Sequence, residues 1–370
     1  MTQILDAYGR PMPSIEKRAT SKQAEAWLID AFGGGAKTTA GETINSKVAM
    51  TVMAFFACVR NISEDITKLP KFVRRELARG SEKLPQHPVS KLMRFPSRTM
   101  DRHSFWQAYI AHALTHEAGY AEIGYKGSTP DELFLIDPNA VTAMTDDAGR
   151  MYYRVQGQPE NIIIPAHRML VLHGLGYNGV SGYRMSDLSR QVLGAAVALQ
   201  KFRGAFFGNG ANPSGVLQHP MELGDEAQQR LRDQFNERHS GAKNSNGVMT
   251  LEEGMTWTQV SIDPERAQMV DLTNVTSEDI FRMFRMPPHK AGHLNNATFS
   301  NIEHQAIEYA TDTLDPWVDK FRSEVNFKLF NDTEKGEGIG LHVNIAALMR
   351  ADIATKTQHY KDMYYMGAYS

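Results

Sequence analysis

The chain of 370 residues contains one cysteine, Cys58. A lone thiol closes no internal disulfide, so a reducing compartment is expected. Cys58 lies in the apolar run Val52-Met53-Ala54-Phe55-Phe56-Ala57-Cys58-Val59 and reads as a small buried apolar residue. Excess positive charge is also missing: 40 lysines and arginines face 42 acids, a formal net charge of −2. Domains that grip nucleic acid along one face are strongly basic, so this balance argues against tight binding. It leaves room for a protein that lets nucleic acid pass without holding it. No apolar run approaches the roughly 18 residues of a membrane helix. The start, Met1 to Asp6, has no basic region followed by an apolar one. A soluble intracellular chain with no membrane segment is expected.

Motifs that carry chemistry are equally scarce. Gly33-Gly34-Gly35-Ala36-Lys37-Thr38 hints at a phosphate loop, but Ala36 stands where a glycine must let backbone amides wrap the phosphate. His112 and His116 have the spacing of a shared zinc ion. Ala113 occupies the place of the general base that zinc hydrolases put after the first histidine, and no third ligand is evident. Ser181 lacks the G-x-S-x-G setting of a nucleophile elbow. The acids are scattered, and no serine, cysteine or threonine has an activating neighbour. No catalytic residue, metal site or cofactor is expected, and a structural role is.

What is present is an α+β pattern on a chain long enough for two or more domains. Residues 1–43 read as a flexible segment interrupted by Gly33-Gly34-Gly35. Val48, Val52, Phe55, Phe56, Val59 and Ile62 recur at helical spacing and predict a helix from Asn45 to Ile66. A strand follows at 71–77 and a helix over 101–118. Runs at 120–125, 132–136, 151–155, 162–164 and 169–173 predict a mostly antiparallel β layer. A long helix is expected from Met185 to Phe207. Next comes a unit of about fifty residues with strands at 215–218, 248–251 and 257–260 and a polar helix from Asp225 to Arg238. Its Arg230, Arg232 and Arg238 read as a solvated face or a docking surface. Beyond Asn331, a linker at 335–338, a strand at 341–345 and a helix at 347–366 are expected. The chain stops soon after Gly367 with no closing element, and a truncated product is expected.

Between these parts lies a helix, a polar loop and a longer helix. Asp263 and Pro264 supply a side-chain cap and a proline suited to the first helical position. Pro287 and Pro288 stop that helix. The loop 291–300 has no formal charge with a neutral His293, and from Asn301 a second helix runs to Phe330, bent by Pro316.

Five segments in order carry a resemblance: Ala57 to Pro70, His87-Pro88-Val89, Phe206 to Leu217, Ile280 to Pro288, and Thr298 to Glu303. Together they resemble the portal proteins of tailed double-stranded DNA bacteriophages, of the long-tailed siphophage type. The likeness covers roughly residues 41–370. It departs at Gly182-Tyr183-Arg184-Met185-Ser186, where the family usually has a Gly-x-Ser-Pro-like helix start, so the start of that helix is open.

The resemblance implies a portal-type fold: a wing at 44–183, stem helices at 184–210 and 263–288, and a clip at 211–262. A tunnel loop and kinked helix at 289–330 and the start of a helical crown at 331–370 complete it. It implies a homo-oligomeric ring, commonly of twelve copies, at one capsid vertex of a virion assembled in the host cytoplasm. Double-stranded DNA would pass through without sequence specificity. Implied partners are the large terminase subunit, the head–tail connector or adaptor, and the major capsid protein. His293, Leu294, Asn295, Asn296 and Thr298 are the expected channel residues, and Arg230, Arg232 and Arg238 the expected docking residues of the clip. A phage-derived nuclease or protease and a monomeric adaptor are the alternatives.

Overall fold

The computed structural model describes residues 38–157, 160–176, 180, 182–208, 215–218, 224, 226, 229–230, 255–259, 266–292, 305–345, 361 and 365–366. These fall into two compact units. One comprises 45–190 and the described part of 281–370. The other comprises the described parts of 37–44 and 191–280.

In the first unit the expected helix at 45–66 divides in two, Ser46–Ala49 and Met53–Lys68. Phe55, Cys58, Val59, Ile62 and Ile66 form the buried stripe of the longer one. Spacings of three and four keep such residues on one helical face. Burial pushes the Cys58 thiol up to about 12. The helix ends where Lys71 Nζ donates to the carbonyls of Ile66 and Thr67, at 2.8 and 2.9 Å. An amine donor there satisfies carbonyls the helix leaves unbonded, and burial, with Arg102 nearby, pushes its pKa down to about 7.

His87-Pro88-Val89 has a local cause. His87 caps the helix Pro88–Arg94, its Nδ1 accepting from the Val89 N–H at 3.2 Å, and Pro88 takes a position that needs no donor. The next helix, Arg102–Thr115, is capped by Asp101, which accepts from the His103 and Ser104 amides. It buries Phe105, Trp106, Tyr109 and Ile110 and packs on helix Met53–Lys68.

In place of one β layer there are two antiparallel sheets here, ordered 129–136/118–126/169–173 and 141–145/151–155/162–165. Tyr120 and Tyr153 meet across them with ring centroids 5.9 Å apart, within a cluster completed by Ala118, Ile164, Met169 and Val171. A third sheet joins strands distant in sequence: Lys71–Glu76 pairs with Ser81–Lys83 on one side and Ile339–Val343 on the other. Residues 335–338, expected as a linker, instead begin inside a helix, Asp332–Gly336, opened by an Asn331–Glu334 capping box.

Helix Asp315–Leu329 adjoins two of these sheets, burying Val318, Phe321, Val325 and Leu329. The proline within its first turn, Pro316, is preceded by a π-helical segment, Tyr309–Leu314, in which the Asp315 N–H reaches back to the Ala310 carbonyl. A single wide turn of this kind is a recognised source of helix irregularity. Pro316, expected to bend a helix, instead stands in the first turn of one, where proline is tolerated.

In the second unit helix Arg190–Gly208 follows a short helix, Met185–Leu188, that ends the first unit, so the expected helix from 185 to 207 is interrupted at Ser189. Helix Arg266–Phe284 runs out of the second unit into the first. Strands Gly215–Gln218 and Thr256–Gln259 pair antiparallel. The expected strand at 248–251 and helix at 347–366 lie outside the described residues, save 361 and 365–366.

Candidate functional site

The five expected channel residues, His293, Leu294, Asn295, Asn296 and Thr298, lie outside the described residues. What the structure does describe is the pair of footings from which residues 293–304 depart and to which they return.

The first footing is the end of helix Arg266–Phe284. Arg285 adopts φ 51°, the only positive φ among described non-glycine residues. Its N–H bonds Arg282 O at 3.2 Å and the Met286 N–H bonds Phe281 O at 2.8 Å. This pair of reversed bonds is a Schellman closure, a role usually given to glycine. Pro287 follows directly, and a short 3-10 helix Pro288–Ala291 ends on Gly292 at φ 88°. Two contacts hold this footing to helix Met53–Lys68. Asn61 Nδ2 donates to Lys290 O at 2.8 Å, and the Phe55 and Phe284 rings meet edge to face at 5.2 Å.

The second footing is 305–314, and it is tied to the first. Thr313 Oγ1 donates to Arg285 O at 2.5 Å. Pro316 brings no N–H to the Asp312 carbonyl four residues before it. Arg285 Nη1 reaches that carbonyl at 3.4 Å. His289 Nδ1 lies 2.7 Å from Gln305 Oε1, and Lys290 Nζ stands over the Tyr309 ring at 5.2 Å. Tyr309 is buried beside Asp65, and burial followed by that carboxylate pushes its phenol pKa well up.

Two chain ends anchored to each other and to one helix make a rigid base for the stretch between them. That stretch, 293–304, contains no lysine or arginine, and its one acid is Glu303. The fixed cations stay in the footings, at Arg285 and Lys290. Sequence reasoning missed Asn61, Arg285 and Thr313. Asn61 stood within the quoted Ala57–Pro70 segment, whereas nothing in the sequence marks Arg285 for a left-handed turn.

Of the expected docking residues, Arg230 is exposed, its Nε donating to Glu226 O at 3.3 Å. Arg232 and Arg238 lie outside the described residues. The His112 and His116 ring centroids are 6.2 Å apart, and His116 Nδ1 is 2.8 Å from Thr115 Oγ1. Burial foremost, with Arg184 and His112 adding to it, pushes the His116 pKa down to about 4. Among the described residues no group of three His, Cys, Asp or Glu is set to hold a metal, and no helix is long and apolar enough to cross a membrane.

The model of the family described as phage portal protein matches residues 53–370. The probable portal protein of Streptomyces phage phiC31 is 26% identical over 329 residues, which are 84% of this chain and 71% of that protein. A solved chain from the neck of a native gene transfer agent particle, computed with C12 symmetry, superposes with a TM-score of 0.62. It is 17% identical, with 97% of this chain and 92% of that chain covered. An HK97 family phage portal protein from Corynebacterium diphtheriae gives 0.59 at 15% identity, covering 82% of this chain and 96% of that chain.

Proposed function

This chain belongs to the phage portal protein family, and from that premise we propose that residues 293–300 form one copy of a repeated constriction around passing double-stranded DNA. The chain has a portal α+β fold and a structural, non-enzymatic portal role. The observation that carries the proposal is the pair of interlocked footings that flank, in the chain, a stretch without lysine or arginine. Each phosphate neutralised by a cation adds affinity through counterion release. A channel that must let DNA move therefore gains from keeping fixed cations out of its narrowest part. His293, Leu294, Asn295, Asn296 and Thr298 touch the backbone weakly and without sequence preference.

In this reading about twelve copies close into a ring, the symmetry named for the neck structure above. Residues 44–183 serve as wing, 184–210 and 263–288 as stem, and 211–262 as clip. Residues 289–330 hold the tunnel loop and the following helix, and 331–370 begin the crown. The clip, with Arg230, Arg232 and Arg238, meets the large terminase subunit and later the head–tail connector, and the major capsid protein is a further partner. The ring occupies a capsid vertex after assembly in the host cytoplasm.

Negative-stain imaging and mass in solution test the assembly: a ring with a central hole is expected, and a chain that stays monomeric at high concentration overturns it. Replacing 293–300 by a glycine–serine stretch tests the constriction. Intact rings with altered DNA packaging are expected, and unaltered packaging by intact rings rejects the role of the loop.

A further inference from the structure

Strand Met169–His173 is an edge of its sheet among the described residues, pairing with Ala118–Lys126 on one side only. Open edges present unpaired amides and carbonyls that invite other strands. Here side chains of helix Asp315–Leu329 bond one amide of that edge and one carbonyl beyond each end of the strand. Lys320 Nζ donates to Gly174 O at 2.8 Å, Glu324 Oε1 accepts from the Val171 N–H at 3.0 Å, and Lys328 Nζ donates to Ala166 O at 2.6 Å. The three residues are four apart, so they stand above one another on one helical face. Their order along the helix is donor, acceptor, donor. Read against the chain from Gly174 to Ala166, the backbone groups run carbonyl, amide, carbonyl.

We propose that Lys320, Glu324 and Lys328 form a register lock that fixes the axial position of helix Asp315–Leu329 along this sheet edge. The apolar seam beneath, Val318, Phe321, Val325 and Leu329, repeats every three or four residues and opposes a one-turn slip only weakly. The polar face opposes it by chemistry. A shift of one turn, about 5.4 Å, takes Glu324 away from the Val171 N–H and brings a lysine, another donor, toward it. The half-buried amide then faces an ammonium instead of an acceptor and loses its bond. A polar residue at an otherwise apolar contact fixes register in coiled coils by the same logic. On the other edge that the helix meets, Asn326 Oδ1 accepts from the Leu341 N–H at 2.8 Å, a fourth side chain in place of a strand. The lock goes beyond the channel reading and does not rest on it.

Amide hydrogen exchange on the full chain tests the lock. Glu324→Gln keeps an acceptor, so the Val171 amide should exchange within about threefold of the parent rate. Glu324→Leu removes it, and exchange at Val171 should rise roughly ten- to a hundredfold while helix Arg102–Thr115 is unchanged. The order-swapped variant K320E/E324K/K328E keeps three charged side chains yet should lose protection across 166–174 and 315–329. Parent-like protection at Val171 in Glu324→Leu, or throughout the order-swapped variant, overturns the lock. If either variant fails to fold, Lys320→Arg and Lys320→Glu make the same comparison: arginine should retain protection near Gly174 and glutamate should lose it, and equal protection in the two overturns the lock.

Discussion

Thr313 donates its hydroxyl hydrogen bond to the carbonyl of Arg285, the residue that turns the chain left-handed at the end of helix Arg266–Phe284. A helix exit and a π-helical segment 28 residues further on are thereby joined at one carbonyl. An unfavourable backbone conformation is held where the loop-bearing stretch begins.

Arg285→Gly should raise stability by about 0.5–1 kcal/mol, because glycine occupies the left-handed region without a Cβ penalty. Arg285→Val should lower it by about 1–2 kcal/mol, since a β-branched residue is poorly tolerated there. Denaturant midpoints of the three proteins check the order. The lost Arg285 contact to Asp312 O, at 3.4 Å, is too long to reverse the glycine gain.

Gly119 and Gly182 mark close approaches rather than unusual backbone angles. A Cβ at Gly119 would lie 2.2 Å from Tyr109 O, and one at Gly182 2.1 Å from Glu117 O. Backbone atoms cannot rotate aside, so Gly119→Ala should cost about 2–3 kcal/mol or more, as overpacking does. Gly127→Ala meets no atom within 4 Å but has φ 66°, and should cost only about 1 kcal/mol. Thermal unfolding of the two variants separates a steric cause from a conformational one.

The pH response should be dominated on the acid side by buried histidines. His116 titrates near 4 in the fold against an ordinary 6.5, and burial lowers His112 and His173 as well. Between those two values the unfolded chain binds the proton that the folded chain refuses. Stability should therefore fall as pH drops from about 6.5 toward about 4. Chemical denaturation across this range should show the slope, and His116→Gln should flatten part of it. A slope unchanged by that substitution would remove His116 from the account.

Charge in the proposed constriction is testable by addition. Asn295→Lys with Asn296→Lys should make rings hold DNA more tightly, the effect fading as salt rises. Each new phosphate contact adds about 0.9 to the slope of log affinity against log salt. Binding measured at several salt concentrations should show a steeper slope than the parent ring, with no preference for sequence.

Much of the first unit was legible in short-range pattern. The stripe Phe55–Val59–Ile62 and the strands at 151–155 and 169–173 fall where their periods put them. What was not legible depended on distance or on irregularity. Val141–Thr145 alternates too weakly to be read as a strand, and all its residues are at most half-buried. The pairing of Lys71 with Val343 joins positions 71 and 343 of a 370-residue chain, and no local signal announces it. The separation of one β layer into two sheets rests on packing around Tyr120 and Tyr153, a tertiary choice. Of the site, the uncharged stretch and its flanking helices were readable, while the Arg285–Thr313 tie was not. Arginine carries no preference for the conformation that neighbours impose on it.

The single cysteine has a practical side. Cys58 is fully buried, and its thiol is held near 12, so almost no thiolate is present at neutral pH. Thiol-directed dyes should leave the folded parent chain unmarked. A cysteine introduced at any exposed position would then be the sole reactive thiol of the chain. Fluorescence or spin labels could be placed at an exposed site such as Tyr365 without first removing the native residue.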